Sequence, residues 1–377
     1  MNVLIDGRPF IRTSAGISTV LRCVLISWAN MRKEDVLYVV LPKAMHSSME
    51  EYVFPNNVKW ICAPKNIFKY LPNICYLFFM VPYLVKKYNI NVYYSPIPVL
   101  PYFIPKKVIS VIEVNDVVNL EYTETMYLKN RIANILFFSR AIKKADIIWT
   151  ISNYTKERID HYYPQRNCDK IFVGCSIDRN LFKNISISSE ESKAIKNKYR
   201  INDDFILFVG SLEPRKNLPF LLQIIPEIYK KTSIQLVVVG AKGWKNSAIR
   251  DTVENEKFPK GSTVFCGYVS NTDLVKLYNM AKCFVSTSLN EGFGLPQLEA
   301  FACGCPVVTA ANSAMIEIAQ GKSGALLIQG YDQHEWVNKI ISFIDNSPAV
   351  VSNEFNEYDW NIIVNRLITR INNEGKE

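Results

Sequence analysis

The sequence has few of the residues that form metal sites and disulfide frameworks. Only three histidines occur in 377 residues, and the nine cysteines are scattered, without a Cys-x-x-Cys pair or a His/Cys cluster. Cys303 and Cys305 flank a single glycine, which is a poor spacing for a metal clamp. An odd number of dispersed cysteines favours free, reduced thiols in a cytosolic compartment over a set of disulfides.

A long uninterrupted apolar run is also missing. The longest run, Leu71 to Val85, contains two prolines and is shorter than the roughly 20 residues that a membrane-spanning helix needs. We therefore expect no transmembrane helix. The run is either a buried core helix or an interfacial helix with Lys86 and Lys87 as its basic flank. The N-terminal residues lead directly into a strand-like pattern, so we expect no signal peptide and a cytoplasmic protein.

Positive charge is concentrated in the first half of the chain. Residues 1–184 hold 24 Lys/Arg against 14 Asp/Glu, a net charge of +10, whereas residues 185–377 hold 20 against 21. This asymmetry is expected of a half that faces nucleic acid, acidic lipid or a phosphorylated substrate, although lysines scattered over a solvated surface explain the count equally well. Nucleic acid is the least favoured partner, because no recognition-module signature accompanies the charge.

Short apolar, β-branched runs alternate with longer helical patterns from end to end. Seven such runs occur in the first half, from "NVLI" to "KIFVG", and six in the second, from "FILFVG" to "GALLI". This alternation predicts an α/β protein with parallel sheets that are covered on both faces. We expect two doubly wound, Rossmann-like domains facing a cleft, with ligands bound beyond the carboxyl ends of the strands.

The domain boundaries are predicted from composition. The first domain covers residues 1–184, and a polar, serine-rich linker covers residues 185–203. The second domain covers residues 204–355. Residues 356–377 form an amphipathic C-terminal helix, which is expected to brace the outside of the fold and could cross back onto the first domain.

Two consecutive cations follow the first strand of the second domain. Arg215 and Lys216 lie in "SLEPRKNL", just before a helix predicted to begin near Asn217. The helix macrodipole disfavours cations at this end by ~0.3–1 kcal/mol each. An anion held there would offset this cost, and a paired Arg and Lys suit a diphosphate. Two solvated surface cations are the alternative interpretation.

A glycine-rich turn bracketed by two acids follows a later strand. In "LNEGFGLPQLEAFACGCPVVTA", Gly292 and Gly294 allow a ligand to approach the backbone, and a helix is predicted from Leu295 to Cys303. Glu291 and Glu299 lie on either side of the turn, with carboxylates roughly 6–12 Å apart. This span matches a nucleotide sugar measured from its ribose to its hexose. A pair of surface acids is the alternative.

Several stretches of the second half resemble, in order, the donor-domain motifs of family 4 retaining glycosyltransferases with the GT-B fold. They are "FVGSLEPRKNL", "LVVVGAKGW", the stretch from "FCGYVS" to "CPVVTA", and "ANSAMIEIAQGKSGALLI". Two glutamates separated by seven residues are a weak signal alone, but the Arg-Lys turn upstream makes the combination specific. Glu317, in the last stretch, aligns with a glutamate common in the family, and it is assigned either a ligand contact or helix packing.

The resemblance implies roles for individual residues. Arg215 and Lys216 would neutralise the donor diphosphate, and Glu299 would bind the ribose hydroxyls. Glu291 and the amides that follow it would grip the sugar and the phosphate, while the base would stack in a pocket near "GYVS". The donor-binding residues assigned in this way are Gly16, Arg215, Lys216, Gly267, Tyr268, Val269, Glu291, Gly292, Phe293, Gly294, Leu295 and Glu299.

The first half resembles the family's acceptor domain more loosely. "DGRPFIRTSAGISTVLRCVL" is similar to the N-terminal turn of bacterial members that build surface polysaccharides, many of them mannosyltransferases. Gly16 is expected in the loop before the first helix, where its amide would face the donor phosphates. Many relatives carry His-Asp where this chain has Asn115-Asp116, and asparagine cannot titrate as histidine does. The candidate catalytic residues are Glu291, Arg215, Lys216 and Asp116. For Asp116, a structural role in a turn is an equally good interpretation.

The resemblance implies a retaining glycosyltransferase that moves a hexose from a nucleoside diphosphate sugar to an acceptor glycan. GDP-mannose is the first choice of donor, and a polyprenyl-diphosphate-linked acceptor in O-antigen or other cell-surface polysaccharide synthesis is the expected partner. We expect no metal and no cofactor, and peripheral attachment to the cytoplasmic face of the inner membrane. A nucleotide-sugar epimerase and a non-catalytic sugar-nucleotide-binding protein are the alternatives.

Overall fold

A computed structural model gives the architecture of the chain. The chain divides into two units, one made of residues 1–176 and 358–377 and the other of residues 177–357. Each unit is an α/β fold built on a single parallel sheet. The structure describes residues 1–11, 16–49, 52–62, 75–117, 137–165, 168–240, 249, 252, 258–346 and 348–375.

The first unit contains a seven-stranded sheet in which the strand order is β3-β2-β1-β4-β5-β6-β7. Each strand matches one of the seven apolar runs predicted in the first half. The strands are β1 (Asn2–Asp6), β2 (Val36–Leu41), β3 (Val58–Cys62), β4 (Val92–Ser95), β5 (Ile109–Val114), β6 (Ile147–Thr150) and β7 (Ile171–Val173).

Helices cover this sheet. They are α1 (Gly16–Met31), α2 (Cys75–Lys87), α3 (Asn153–Tyr162) and a helical stretch at 137–144. In α2, Leu77, Val81 and Leu84 are buried in the core, so the predicted apolar run includes a core helix. Residues 71–74 of that run lie outside the described residues. Among the helices that the structure describes, none is both long and apolar enough to cross a bilayer.

The second unit contains a six-stranded sheet with the order β10-β9-β8-β11-β12-β13, which again matches the predicted runs. Its strands are β8 (Phe205–Val209), β9 (Gln235–Val239), β10 (Thr263–Gly267), β11 (Cys283–Ser286), β12 (Val307–Ala310) and β13 (Ala325–Ile328). Its helices are α4 (Ser189–Tyr199), α5 (Leu218–Thr232), α6 (Asn271–Met280), α7 (Leu295–Ala302), α8 (Ser313–Ala319) and α9 (Gln333–Asn346).

The boundary between the units differs from the predicted one. Much of the segment expected as a linker, residues 185–203, is helix α4, which belongs to the second unit. Ser188 caps this helix in a capping box with Glu191, and Tyr199 donates a hydrogen bond to Asp273 of α6 at 2.6 Å. The segment is polar because most of α4 faces solvent, while Ile195 is buried.

The C-terminal helix α10 (Trp360–Asn373) follows the second unit in the chain but belongs to the first unit. This agrees with the expectation that the C-terminal helix could cross back onto the first domain. The Trp360 ring packs edge-on against Trp149 of β6 with a centroid distance of 6.4 Å. Ser27 of α1 donates a hydrogen bond to Asn361 at 2.7 Å. An amphipathic helix with a well-defined apolar face is stable only when that face is covered, and here the first unit covers it.

Candidate functional site

The Arg-Lys turn and the glycine-rich turn are neighbours because their strands are neighbours. The turn Pro214–Lys216 follows β8, and the segment before α7 follows β11. Strands β8 and β11 pair directly at the point where the strand order reverses, which is where sheets of this kind bind ligands. The Leu289 amide donates to the Arg215 carbonyl at 2.7 Å and joins the two loops.

Arg215 and Lys216 converge on Glu291. Arg215 Nη1 lies 2.8 Å from Glu291 Oε2, and Lys216 Nζ lies 2.5 Å from Glu291 Oε1. Lys216 and Glu291 are buried, whereas the Arg215 side chain is 33% exposed and also binds Glu213 at 3.1 Å. The anion that holds the two cations in this structure is therefore a carboxylate of the protein itself.

Two serines complete the surroundings of Glu291. Ser288 donates a hydrogen bond to Oε1 at 2.7 Å, and the Glu291 amide donates to Ser313 Oγ at 3.0 Å. Burial by itself would raise the pKa of Glu291, but the charges of Lys216 and Arg215 outweigh it and lower the pKa to about 2. The carboxylate is ionised at any physiological pH.

The glycine-rich turn opens helix α7 as predicted. Gly294 has φ +102, a conformation that side chains rarely adopt, and it begins the helix without a side-chain cap. The first amides of a helix have no acceptor within the helix, so this end suits oxygen atoms of a ligand. Lys216, Glu291 and Gly294 line one small cavity, which brings one of the two cations, the acid and the helix start together.

Glu299 lies within α7, about one turn after the helix begins. Tyr278 of α6 donates a hydrogen bond to its Oε2 at 3.0 Å. Burial raises the pKa of Glu299 to about 7, and the Tyr278 hydrogen bond limits that rise. Unlike Glu291, this acid changes charge near neutral pH.

The segment assigned to the base begins where β10 ends. Gly267 has φ +66 with open space around it, and Tyr268 is 79% exposed. Val269 is buried, and Ser270 caps α6 by accepting from the Asp273 amide. Of the assigned residues here, Tyr268 therefore offers an accessible ring.

Residues 190–358, which include this entire arrangement, match the model of a family described as glycosyl transferases group 1. The similarity to group 1 glycosyltransferases therefore covers this segment, which is less than half of the chain. The matched range agrees with the resemblance found in the sequence of the second half.

The curated relatives of this chain include mannosyltransferases of Escherichia coli. The O-antigen chain mannosyltransferase B of Escherichia coli is 32% identical over 47% of this chain and 46% of its own length. The serotype-specific mannosyltransferase WbdA of Escherichia coli is 29% identical over 47% of this chain and 22% of its own length. The chain thus spans between about a fifth and a half of the length of these relatives.

Solved structures share the fold over nearly the whole chain. Sucrose-phosphate synthase from Thermosynechococcus elongatus has a TM-score of 0.76 and 14% identity, with 99% of this chain and 98% of that chain covered. Anabaena HepE in complex with UDP-glucose has a TM-score of 0.72 and 15% identity, with 99% and 100% covered. The two parallel-sheet units therefore form a GT-B fold.

The sites assigned to the first unit lie at its own sheet. Asp116 lies two residues after the end of β5, and the intervening Asn115 donates a hydrogen bond to the Pro96 carbonyl at 3.4 Å. Gly16 was expected in the loop before α1, but it is the first residue of that helix. As the first residue of the helix, Gly16 has an amide with no acceptor within the helix.

Several residues that shape the sites were not predicted. Ser313 and Tyr278 contact the two glutamates from separate elements, so nothing in the local sequence marks them, whereas Ser288 lies in the same loop three residues before Glu291. None of the three histidines, His46, His161 and His334, falls in the motifs that resemble the family. Glu317 lies on α8 and is half-buried. Within the described part of the chain, no group of three or more His, Cys, Asp or Glu side chains is placed to hold a metal ion.

Proposed function

We propose that this protein is a retaining glycosyltransferase that moves a hexose, mannose from GDP-mannose in the first instance, to an acceptor glycan. The observation that carries this proposal is the convergence of Arg215, Lys216 and the α7 helix start at the reversal point of the second sheet. Cations and helix-start amides at one point form a site for a diphosphate. The names of the curated relatives support mannose.

The difficult step is departure of the nucleoside diphosphate while positive charge develops at the anomeric carbon. Two cations would stabilise the negative charge on the leaving diphosphate: the partly exposed Arg215 and the buried Lys216. Stabilisation by preorganised charges and amides often contributes more to catalysis than any other single effect. We propose that the Arg-Lys pair and these amides provide this stabilisation without a metal ion.

Glu291 has two tasks in this proposal. Lys216 and Ser288 occupy Oε1 and Arg215 occupies one position on Oε2, so a further acceptor position of Oε2 is left for a sugar hydroxyl. Glu291 therefore fixes the two cations and contacts the sugar with the same group. Because its pKa is about 2, it serves as an ionised anchor and not as a proton donor.

The retaining course follows from the family resemblance. The acceptor hydroxyl attacks from the face that the diphosphate leaves, and a diphosphate oxygen takes its proton. Asp116 in the first unit is proposed to contact the reacting sugars. The acceptor is proposed to be a glycan on a polyprenyl diphosphate, consistent with the net charge of +10 on residues 1–184, and the protein would attach peripherally to the cytoplasmic face of the membrane.

A screen of nucleotide sugars for slow donor hydrolysis tests the proposal without requiring the acceptor. We expect release of GDP from GDP-mannose, and at least ~100-fold less release after Lys216→Ala, because one transition-state charge contact is lost. Lys339→Ala is the matched control, since Lys339 lies in an exposed pair with Glu335 on α9. Release of UDP from a UDP-sugar, with no release of GDP from GDP-mannose, would show that the donor is a UDP-sugar. Conversion of the free sugar nucleotide to an epimer would contradict the proposal that the protein is a transferase.

A further inference from the structure

Helix α2 exposes aromatic side chains on the face opposite its core contacts. Phe79 is 71% exposed and Tyr83, one turn later, is 60% exposed, whereas Leu77 and Val81 are fully buried. The same exposed stripe continues into Lys86 and Lys87 in the last turn, where Lys87 Nζ lies 5.7 Å from the centre of the Tyr83 ring. A core helix does not need large aromatic groups on its solvent side.

A second segment of the same unit repeats this composition. Between β4 and β5, Tyr102 is 52% exposed and Phe103 is 72% exposed, and Lys106 and Lys107 follow on the surface. Leu100 and Ile104, from this segment, pack into the same core cluster that receives α2. The two segments therefore lie on the same side of the first sheet and present aromatic groups followed by paired lysines.

The sequence around both segments contains no acidic residue. From residue 52 to residue 112 there are seven lysines and neither aspartate nor glutamate. The surfaces of ordinary globular domains intersperse charges of both signs, so a stretch of this length with one sign indicates an anionic partner. Aromatic rings beside lysine ammonium groups are the composition of surfaces that rest in the headgroup layer of a bilayer.

We propose that the exposed side chains of these two segments form a surface that binds the phosphate groups of an anionic lipid bilayer. This aromatic–lysine surface consists of Phe79, Tyr83, Lys86, Lys87, Tyr102, Phe103, Lys106 and Lys107. The lysines contact lipid phosphates, and the rings enter the headgroup layer. The inference rests on the proposed function for the choice of a membrane as the anionic partner, and it specifies which part of the first unit makes that contact.

Vesicle flotation of the full chain tests the surface. Vesicles of phosphatidylcholine alone are compared with vesicles that also contain phosphatidylglycerol, at low and at high salt. We expect binding to the anionic vesicles that weakens as salt rises. The double variant Lys86→Gln/Lys87→Gln should lower the partition coefficient by ~30-fold, which corresponds to about 1 kcal/mol per lysine. Phe79→Ser and Phe103→Ser should each lower it by ~10-fold.

A matched lysine pair provides the control. Lys230 and Lys231 lie in the last turn of α5 in the second unit, and Lys230→Gln/Lys231→Gln should leave the partition unchanged. Equal loss in the control pair, or equal binding to both kinds of vesicle, would overturn the assignment, as would absence of flotation. Donor hydrolysis measured in parallel separates this inference from the proposed function, because the surface variants should hydrolyse the donor at the normal rate even where they no longer float.

Discussion

At the carboxyl edge of each sheet, an arginine binds a carboxylate at the point where the strand order reverses. In the first sheet, Asp6 ends β1 and accepts from Nε and Nη2 of Arg8, with Ser95 of the adjacent strand β4 within 3.5 Å. In the second sheet, Glu291 accepts from Arg215 and Lys216. The side chains of Asp6 and Arg8 are 0% and 12% exposed, whereas Arg215 is 33% exposed.

The difference in burial indicates that the two arginine–carboxylate pairs have different roles. Arg8 and Asp6 are held in a forked, nearly enclosed pair, which suits a structural support at the sheet edge. The second edge instead has one carboxylate between two cations, and one of those cations is accessible to solvent. An incoming anion can therefore reach Arg215 without having to open a buried pair.

The largest effect should come from breaking the enclosed pair. Asp6→Ala removes the buried carboxylate that accepts from Nε and Nη2 of Arg8, and we expect a loss of about 3–5 kcal/mol in the free energy of unfolding. Urea unfolding followed by intrinsic fluorescence measures it. Glu227→Ala, which breaks an exposed pair with Lys231, should change stability by less than ~0.5 kcal/mol.

A double variant shows whether the pair itself is responsible. Asp6→Leu combined with Arg8→Met removes both charges, so it should recover most of the stability lost by Asp6→Ala. A double variant that is no more stable than the single one would mean that the first edge is not a sealed structural pair, and the contrast with the second edge would disappear.

The second effect concerns turnover. Glu291→Ala should lower the donor hydrolysis rate at least ~100-fold, because Arg215 and Lys216 lose their anchor and the sugar loses a contact that strengthens as charge develops. The loss should appear in kcat more than in KM. Glu335→Ala, in a surface pair with Lys339, is the control and should remain near the normal rate. Near-normal turnover of the Glu291 variant would refute the assigned role.

The sequence predicted the elements better than the contacts between them. The apolar runs located all thirteen strands that the structure describes, and Pro296, which is favoured in the first turn of a helix, located the start of α7, because such signals act within a few residues. The meeting of Lys216 with Glu291 joins residues 75 positions apart, and it depends on β8 lying beside β11. The sequence placed an external anion beside these cations, and it offered no indication that Glu291 would hold them both.

The predicted linker was the main error in domain organisation, and it has a physical explanation. A polar stretch without an apolar stripe is typical of a connection, yet α4 forms there because its cap and its ion pairs compensate for a small buried face. Lys198 and Tyr199 bind Asp273, and Lys276 binds Glu191. These partners lie on α6, more than 70 residues later, so no local pattern could reveal them.

The third effect is a shift in pH dependence at the other glutamate of the second edge. Glu299 has a pKa of about 7, and the hydrogen bond from Tyr278 favours its ionised form. Tyr278→Phe should therefore raise that pKa further. If the carboxylate must be ionised to accept the ribose hydroxyls, the acidic limb of kcat/KM for the donor moves to higher pH, with a loss of a few-fold at pH 7 and recovery at alkaline pH.

Substitution of a second tyrosine, Tyr199, is the control that distinguishes this change in the pH profile from a general change in packing. Tyr199 of α4 donates its hydrogen bond to Asp273 rather than to Glu299, so Tyr199→Phe should leave the pH profile where it is. An acidic limb that stays in place in the Tyr278 variant would mean that Glu299 does not titrate in donor binding. The acidic limb of kcat/KM would then reflect the titration of another group.

The smallest effect tests whether Arg215 can release Glu213 and bind the donor diphosphate instead. Arg215 binds Glu213 through Nε at 3.1 Å, and both side chains are about one third exposed. Glu213 and the donor diphosphate would compete for the same guanidinium, so Glu213→Gln should lower KM for the donor by ~2–5-fold with kcat unchanged, in keeping with the weak energy of exposed pairs. A raised KM would show instead that Glu213 holds Arg215 in its binding position, and the second edge would then resemble the first in depending on a fixed ion pair.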